Sequence, residues 1–139
     1  MKQKTFIIIM YFLTNFCQLF AQVREIEAKE FFYSLLPKMS KPIVIDFWAE
    51  WCGPCHRYTP IFMSVAREYK NMADFYRVNV DKNEEWCTQW EIESIPTTIV
   101  IYNKGCDFLR QEGILDEENL HQIIDKSIKK NRADKESYF

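Results

Sequence analysis

The stretch IVIDFWAEWCGPCH, residues 43–56, decides how the rest of the chain is read. Ile43 to Trp48 is an almost unbroken run of β-branched and aromatic residues, the pattern of a strand buried on both faces. Asp46 is the exception. After it, Cys52 and Cys55 flank Gly53 and Pro54, and an apolar series begins: Tyr58, Ile61, Phe62, Val65, Ala66 and Tyr69 share one face of a helix. Pro54 suits the first turn of that helix, and Pro60 removes a donor inside it, which predicts a kink. Cys52 therefore stands where a buried strand gives way to a helix. In an open α/β sheet, sites form there, outside the carboxyl ends of the strands.

Two chemistries claim the motif. A Cys-x-x-Cys pair can pass electrons between disulfides, and Cys-x-x-Cys-His can hold a covalent haem. Haem needs apolar helices around a pocket and a second axial ligand, whereas this motif caps a helix behind a strand. Met63 and Met72 fit a helix packed on a sheet. Zinc needs about four ligands, and only His56 joins the cysteines locally. The expectation is a dithiol site with no metal and no cofactor.

A thiol attacks a disulfide as thiolate, and a helix N-terminus stabilises the thiolate through its unpaired N–H groups and its dipole. Cys52, just outside the helix, receives that help; Cys55, one turn in, is expected to be less exposed. Cys52 is thus the expected nucleophile and Cys55 the resolving thiol. Asp46 lies among apolar residues on the strand leading to Cys52, so burial raises its pKa toward the working pH. It is the candidate base for Cys55, through a water; the plain alternative is a strand-end carboxylate bonding a neighbouring backbone. His56, if protonated, favours the Cys52 thiolate, and otherwise is surface decoration.

Around this centre the pattern reads αβαβαββα, and Val23 to Ile26 can add a short strand in front. A first helix is expected over Glu25 to Met39, with strands at 74–80 (DFYRVNV) and 97–102 (TTIVIY) and a short helix in KNEEWCTQW between them. NKG at 103–105 is a hairpin turn, DFLRQEG its returning strand, and Asp116 caps a last helix carrying Leu120, Ile123, Ile124 and Ile128.

At 139 residues the chain holds one domain. Met1 to Thr5 carries two lysines, Phe6 to Phe20 is mostly apolar, and Ala21 is small: the layout of a signal peptide, 1–21, cleaved before Gln22. The apolar run is short of the roughly 20 residues that span a bilayer, so no stable membrane insertion is expected after cleavage; an uncleaved anchor is the alternative. The mature chain, 22–131 as a domain with 132–139 as a solvated tail, then has 16 basic and 20 acidic side chains. No basic patch calls for nucleic acid. Export implies a periplasmic or secreted protein. Cys87 and Cys106 are expected as unpaired thiols, with a bond between them the less favoured reading.

VIDFWAEWCGPC resembles the active-site strand and turn of thioredoxins, and SIPTT at 94–98 resembles their cis-proline loop. Pro60 matches their kinking proline, and Gly113 a glycine beside their substrate groove. The resemblance spans residues 23 to 130. It implies an α/β thioredoxin fold: a central mixed sheet of four to five strands flanked by helices. It implies Cys52 and Cys55 as a redox-active disulfide, Asp46 as the buried acid, and Pro96 cis, with the Ile95 backbone pairing to an extended substrate. Trp51, Gly53, Pro54 and Gly113 join the substrate-binding set, and Trp48 and Trp51 form a flat apolar rim, with ordinary packing as the plain alternative for both tryptophans. Arg77 departs from the pattern, standing where thioredoxins often carry a lysine, and its permanent charge alters how Asp46 is tuned. The activity implied is reduction of disulfide-bearing protein substrates, with the enzyme recycled by an upstream dithiol donor. A disulfide oxidase or isomerase, or a non-catalytic holdase, are the alternatives.

Overall fold

The structure, a computed structural model, describes residues 23–136. The expected signal segment 1–21 lies outside the described residues. Strand β1, Val23–Glu25, leads into a helical stretch α1, which is α-helical at Ala28–Glu30, widens to a π turn at Phe31–Leu35 and tightens at Leu36–Lys38. Then follow β2 (Ile43–Trp48), α2 (Gly53–Glu68), β3 (Asp74–Asn79), α3 (Glu84–Gln89), β4 (Thr97–Tyr102), β5 (Asp107–Glu112) and α4 (Glu117–Glu136).

The five strands form one mixed sheet in the order β1-β3-β2-β4-β5. β3 runs parallel to both β1 and β2; β4 is antiparallel to β2 and to β5. The central position of β2 explains its continuous apolar run. Ile43, Ile45 and Phe47 pack into one core with Val78, Ile99, Ile101, Trp86 and Phe31, while Val44 faces the other with Phe62, Val65, Val100, Leu120 and Ile124. Alternation along a strand sends Asp46 to the Val44 side, toward α2.

Two expectations change. The first helix does not begin at Glu25: that residue pairs with Arg77 in the sheet, so the chain is extended until it has crossed the edge of β3. The NKG segment is the expected hairpin turn between β4 and β5, built as a 3-10 turn with Asn103, Lys104 and Gly105 all at positive φ. The last helix does not stop at 131 but runs on to Glu136, into the segment expected as a tail. Arg132, Ala133, Lys135 and Glu136 are all tolerant of helix, and Asn131 Oδ1 anchors the junction by accepting from the Asn103 backbone N–H at 3.1 Å. The Asp116 cap stands as expected, its Oδ1 accepting from Asn119 N at 2.8 Å.

Candidate active site

Cys52 is the N-cap of α2, in extended conformation, and its sulfur accepts from the Cys55 backbone N–H at 3.2 Å. Gly53 and Pro54 fill the first positions of the helix. This brings the cysteine Cα atoms to 5.3 Å, and the two sulfurs are joined as a disulfide. The expected difference in exposure exists but is small: Cys52 is 3% exposed and Cys55 fully buried. The asymmetry between them is therefore one of position at the helix end more than of access.

Asp46 is fully buried. Burial pushes its carboxyl up from 3.8 to about 6, against the opposing pull of the Arg77 guanidinium. Arg77 Nε donates to Asp46 Oδ2 at 2.9 Å, and the two residues occupy the same register position on β2 and β3. Desolvation outweighs the ion pair because only one oxygen is bonded; Oδ1 is buried with no hydrogen-bond partner among the described residues. The guanidinium also lies over the Trp48 ring, 4.0 Å from its centroid, and donates through Nη2 to Thr59 Oγ1 at 3.0 Å. Thr59 in turn donates to the Cys55 carbonyl at 2.9 Å. Beside them the Tyr58 and Thr98 hydroxyls bond each other at 2.8 Å.

The Ile95-Pro96 peptide is cis. Ile95 O lies 3.8 Å from Cys52 Sγ; that sulfur carries no proton in the disulfide, so this is proximity rather than a hydrogen bond. Gly113, at φ +82°, donates its N–H to Pro96 O at 2.8 Å, which draws the end of β5 against the proline turn. Trp51 is 69% exposed and its indole N–H is held by Asp81 Oδ2 at 3.0 Å. A cleft of about 330 Å3 lies between Trp51, Val80, Ile92, Ser94 and Ile95. The fold thus gathers Cys52, Cys55, Trp51, Gly53, Pro54, Ile95, Pro96 and Gly113 at one end of the sheet. Another cleft, lined by Glu25, Ile26, Glu27, Asn79 and Asn83, contains neither cysteine.

One expected feature differs. Trp48 is not part of an open rim with Trp51: it is half-buried, with Arg77 over its face and His56 at 6.5 Å across the ring. His56 bonds the Glu50 carbonyl through Nε2 at 2.7 Å, an exposed contact that pins the approach to α2. Sequence reasoning missed Tyr58, Thr59, Thr98 and Asp81. Thr59 had a legible signal, sitting four residues after Cys55 on the same helix face; the roles of Thr98 and Asp81 depend on register and loop path.

The Thioredoxin family model matches residues 22–126. Thioredoxins of Staphylococcus aureus strains Mu50 and MW2 are each 34% identical over 85 residues, covering 61% of this chain and 81% of the relative. A solved structure of chloroplastic thioredoxin z superposes with a TM-score of 0.70 at 26% identity, over 78% of this chain and 95% of that one. Sheet order, the cysteine pair joined at the head of α2, and these matches have one reading: the chain belongs to the thioredoxin family and is a thiol–disulfide oxidoreductase with Cys52 and Cys55 as its redox pair.

Proposed function

We propose that the protein is an exported reductase of protein disulfides, with Cys52 as nucleophile and Cys55 as resolving thiol. The observation that carries the assignment of roles is the placement of Cys52 Sγ at the open end of α2, where the Cys55 N–H already points at it. A thiolate there gains from the same donor and from the helix dipole. Cys52 thiolate attacks one sulfur of the substrate disulfide, and the other substrate sulfur leaves as a thiolate and takes up a proton. Cys55 then loses its proton, attacks Cys52 and releases the second substrate sulfur. Two electrons pass to the substrate, and the protein is left as the Cys52–Cys55 disulfide.

Asp46 is the acceptor for the Cys55 proton. Its pKa of about 6 suits a base that must be free at neutral pH yet able to hold a proton. The Ile95 backbone and the cleft beside Trp51, whose rim also carries Glu93 and Ser94, receive an extended segment of the substrate by strand-like pairing, with Pro96 and Gly113 shaping the turn. Export rests on the charged start, the apolar run and Ala21, with cleavage giving a periplasmic or secreted domain that begins at Gln22 and requires an external dithiol donor. Among the described residues no helix is long and apolar enough to cross a membrane.

Insulin reduction by the wild-type protein and by Cys52→Ser tests the reading. Turnover by the first and none by the second is expected; equal turnover would remove Cys52 from the mechanism. The equilibrium potential of the Cys52–Cys55 couple decides direction, and a value as oxidising as that of dedicated disulfide donors, about −120 mV, would make the protein an oxidase.

A further inference from the structure

Asp46 is fully buried, yet polar side chains from three elements lie about it: Arg77 from β3 bonds it, Thr98 from β4 shares its register position, Tyr58 from α2 bonds Thr98, and Thr59 from α2 is reached through Arg77. We propose that Arg77 and Thr59 are positioning residues that couple the buried acid to the resolving cysteine. The proposal deepens the function argued above and rests on it, since Cys55 must perform the second step.

The bonds form a continuous path. Arg77 Nε donates to Asp46 Oδ2 at 2.9 Å, Arg77 Nη2 donates to Thr59 Oγ1 at 3.0 Å, and Thr59 Oγ1 donates to Cys55 O at 2.9 Å. Its polarity is fixed by chemistry. A guanidinium only donates, so the Thr59 oxygen must accept from it, and the single hydroxyl proton goes to the Cys55 carbonyl. The permanent charge of Arg77 strengthens that hydroxyl as a donor. Contact with Trp48 at 4.0 Å fixes the plane of the fork, so both bonds are served at once. A lysine offers one compact ammonium and no rigid fork.

The path also fixes which carboxylate oxygen is available. Oδ2 is taken by Arg77, whereas Oδ1 has no partner among the described residues. In the second step the Cys55 proton passes to Oδ1, directly or through a water. The Cys55 thiolate then attacks Cys52 Sγ, the bond from Cys52 to the substrate breaks, and the substrate sulfur leaves with the electron pair. Arg77 holds Asp46 in place while its charge changes, and Thr59 holds the turn that carries Cys55 in register with it. The titratable groups facing Asp46 are Arg77 from β3 and Tyr58 from α2; β4 contributes Thr98, which does not titrate. Burial pushes the Tyr58 phenol up, so it stays neutral while Asp46 titrates.

Rapid mixing of the reduced full-length protein with a peptide disulfide, followed by acid quench, separates formation of the mixed disulfide from its resolution. The readout is the ratio of the second rate to the first within one protein, followed from about pH 5 to about pH 9. Thr59→Val is expected to lower that ratio about tenfold and to move the pH midpoint of the second step, since a charge-assisted hydrogen bond is worth about that factor. Thr59→Ser is expected to restore it to within about twofold, because it returns the hydroxyl. Arg77→Lys is expected to fall with Thr59→Val. A Thr59→Val protein with the wild-type ratio and pH midpoint and only a lower melting temperature would make the path a structural cross-link and overturn the proposal. So would a Thr59→Ser protein as slow as the valine variant. If Thr59→Val does not fold, a wild-type ratio in Arg77→Lys overturns the proposal instead. Failure of the underlying reading looks different: no mixed disulfide at Cys52 in any protein, wild type included.

Discussion

Asp46 and Arg77 face each other at one register position of two adjacent parallel strands, 2.9 Å apart, and both are buried. Charges so enclosed are costly unless every lone pair is used. Here one carboxylate oxygen is not, and the consequence is a carboxyl that holds its proton up to about pH 6.

Stability is expected to fall as that carboxyl ionises. The folded pKa of about 6 lies above the ordinary 3.8, so the folded state binds the proton more tightly than the unfolded chain does. The Asp46 contribution is therefore greatest below about pH 4, declines through about pH 6, and is lost above it; the change is roughly 3 kcal/mol. Urea unfolding of the oxidised protein at several pH values should show this decline, and Asp46→Asn should remove that part of it. An equally steep decline in the asparagine variant would place the titration elsewhere.

Trp86 packs between Phe31, at 5.2 Å, and Phe47, at 5.8 Å, and its indole N–H is buried without a partner among the described residues. Trp86→Ala should cost about 3–5 kcal/mol, the range for emptying a large aromatic site. Trp86→Phe should cost clearly less, because it keeps much of the volume and removes a donor that gains nothing. Chemical denaturation of the two variants compares them directly; equal losses would mean the indole is satisfied in solution.

Cys106 is exposed and Cys87 is buried, with its thiol pushed up by desolvation. In the oxidised native protein, iodoacetamide should label Cys106 quickly and Cys87 only after unfolding, as intact and peptide mass measurements can show. Fast labelling of Cys87 would reveal local opening of α3.

Two glycines with similar backbones should respond differently to alanine. An alanine at Gly105 (φ +89°) or at Gly113 (φ +82°) would be strained by the left-handed conformation that glycine adopts freely, by about 1–2 kcal/mol. At Gly105 the new Cβ also meets Leu36 Cδ1 at 2.5 Å, whereas at Gly113 it meets open space. Gly105→Ala should therefore be the less stable by about a further 1 kcal/mol in urea unfolding. Equal midpoints would mean that Leu36 swings aside at no cost.

Much of this molecule was determined by local sequence. The β2 run, the helix-spaced face from Tyr58 to Tyr69 and the Asp116 cap depend on side-chain periodicity and on groups a few residues apart, so they are legible along the chain. The same holds for Cys52 and Cys55, whose separation by one helical turn is itself the geometry of the pair. What only the tertiary structure decided lies between elements. Asp46 meets Arg77, and Thr98 in its turn, because the register of β3-β2-β4 aligns them. Thr59 becomes a link to Cys55 because α2 crosses that face of the sheet, and Trp48 is covered rather than open because Arg77 lies over it. Register and crossing are set by the sum of core contacts far apart in the chain, and a linear pattern names the residues that make those contacts without saying which of them will meet.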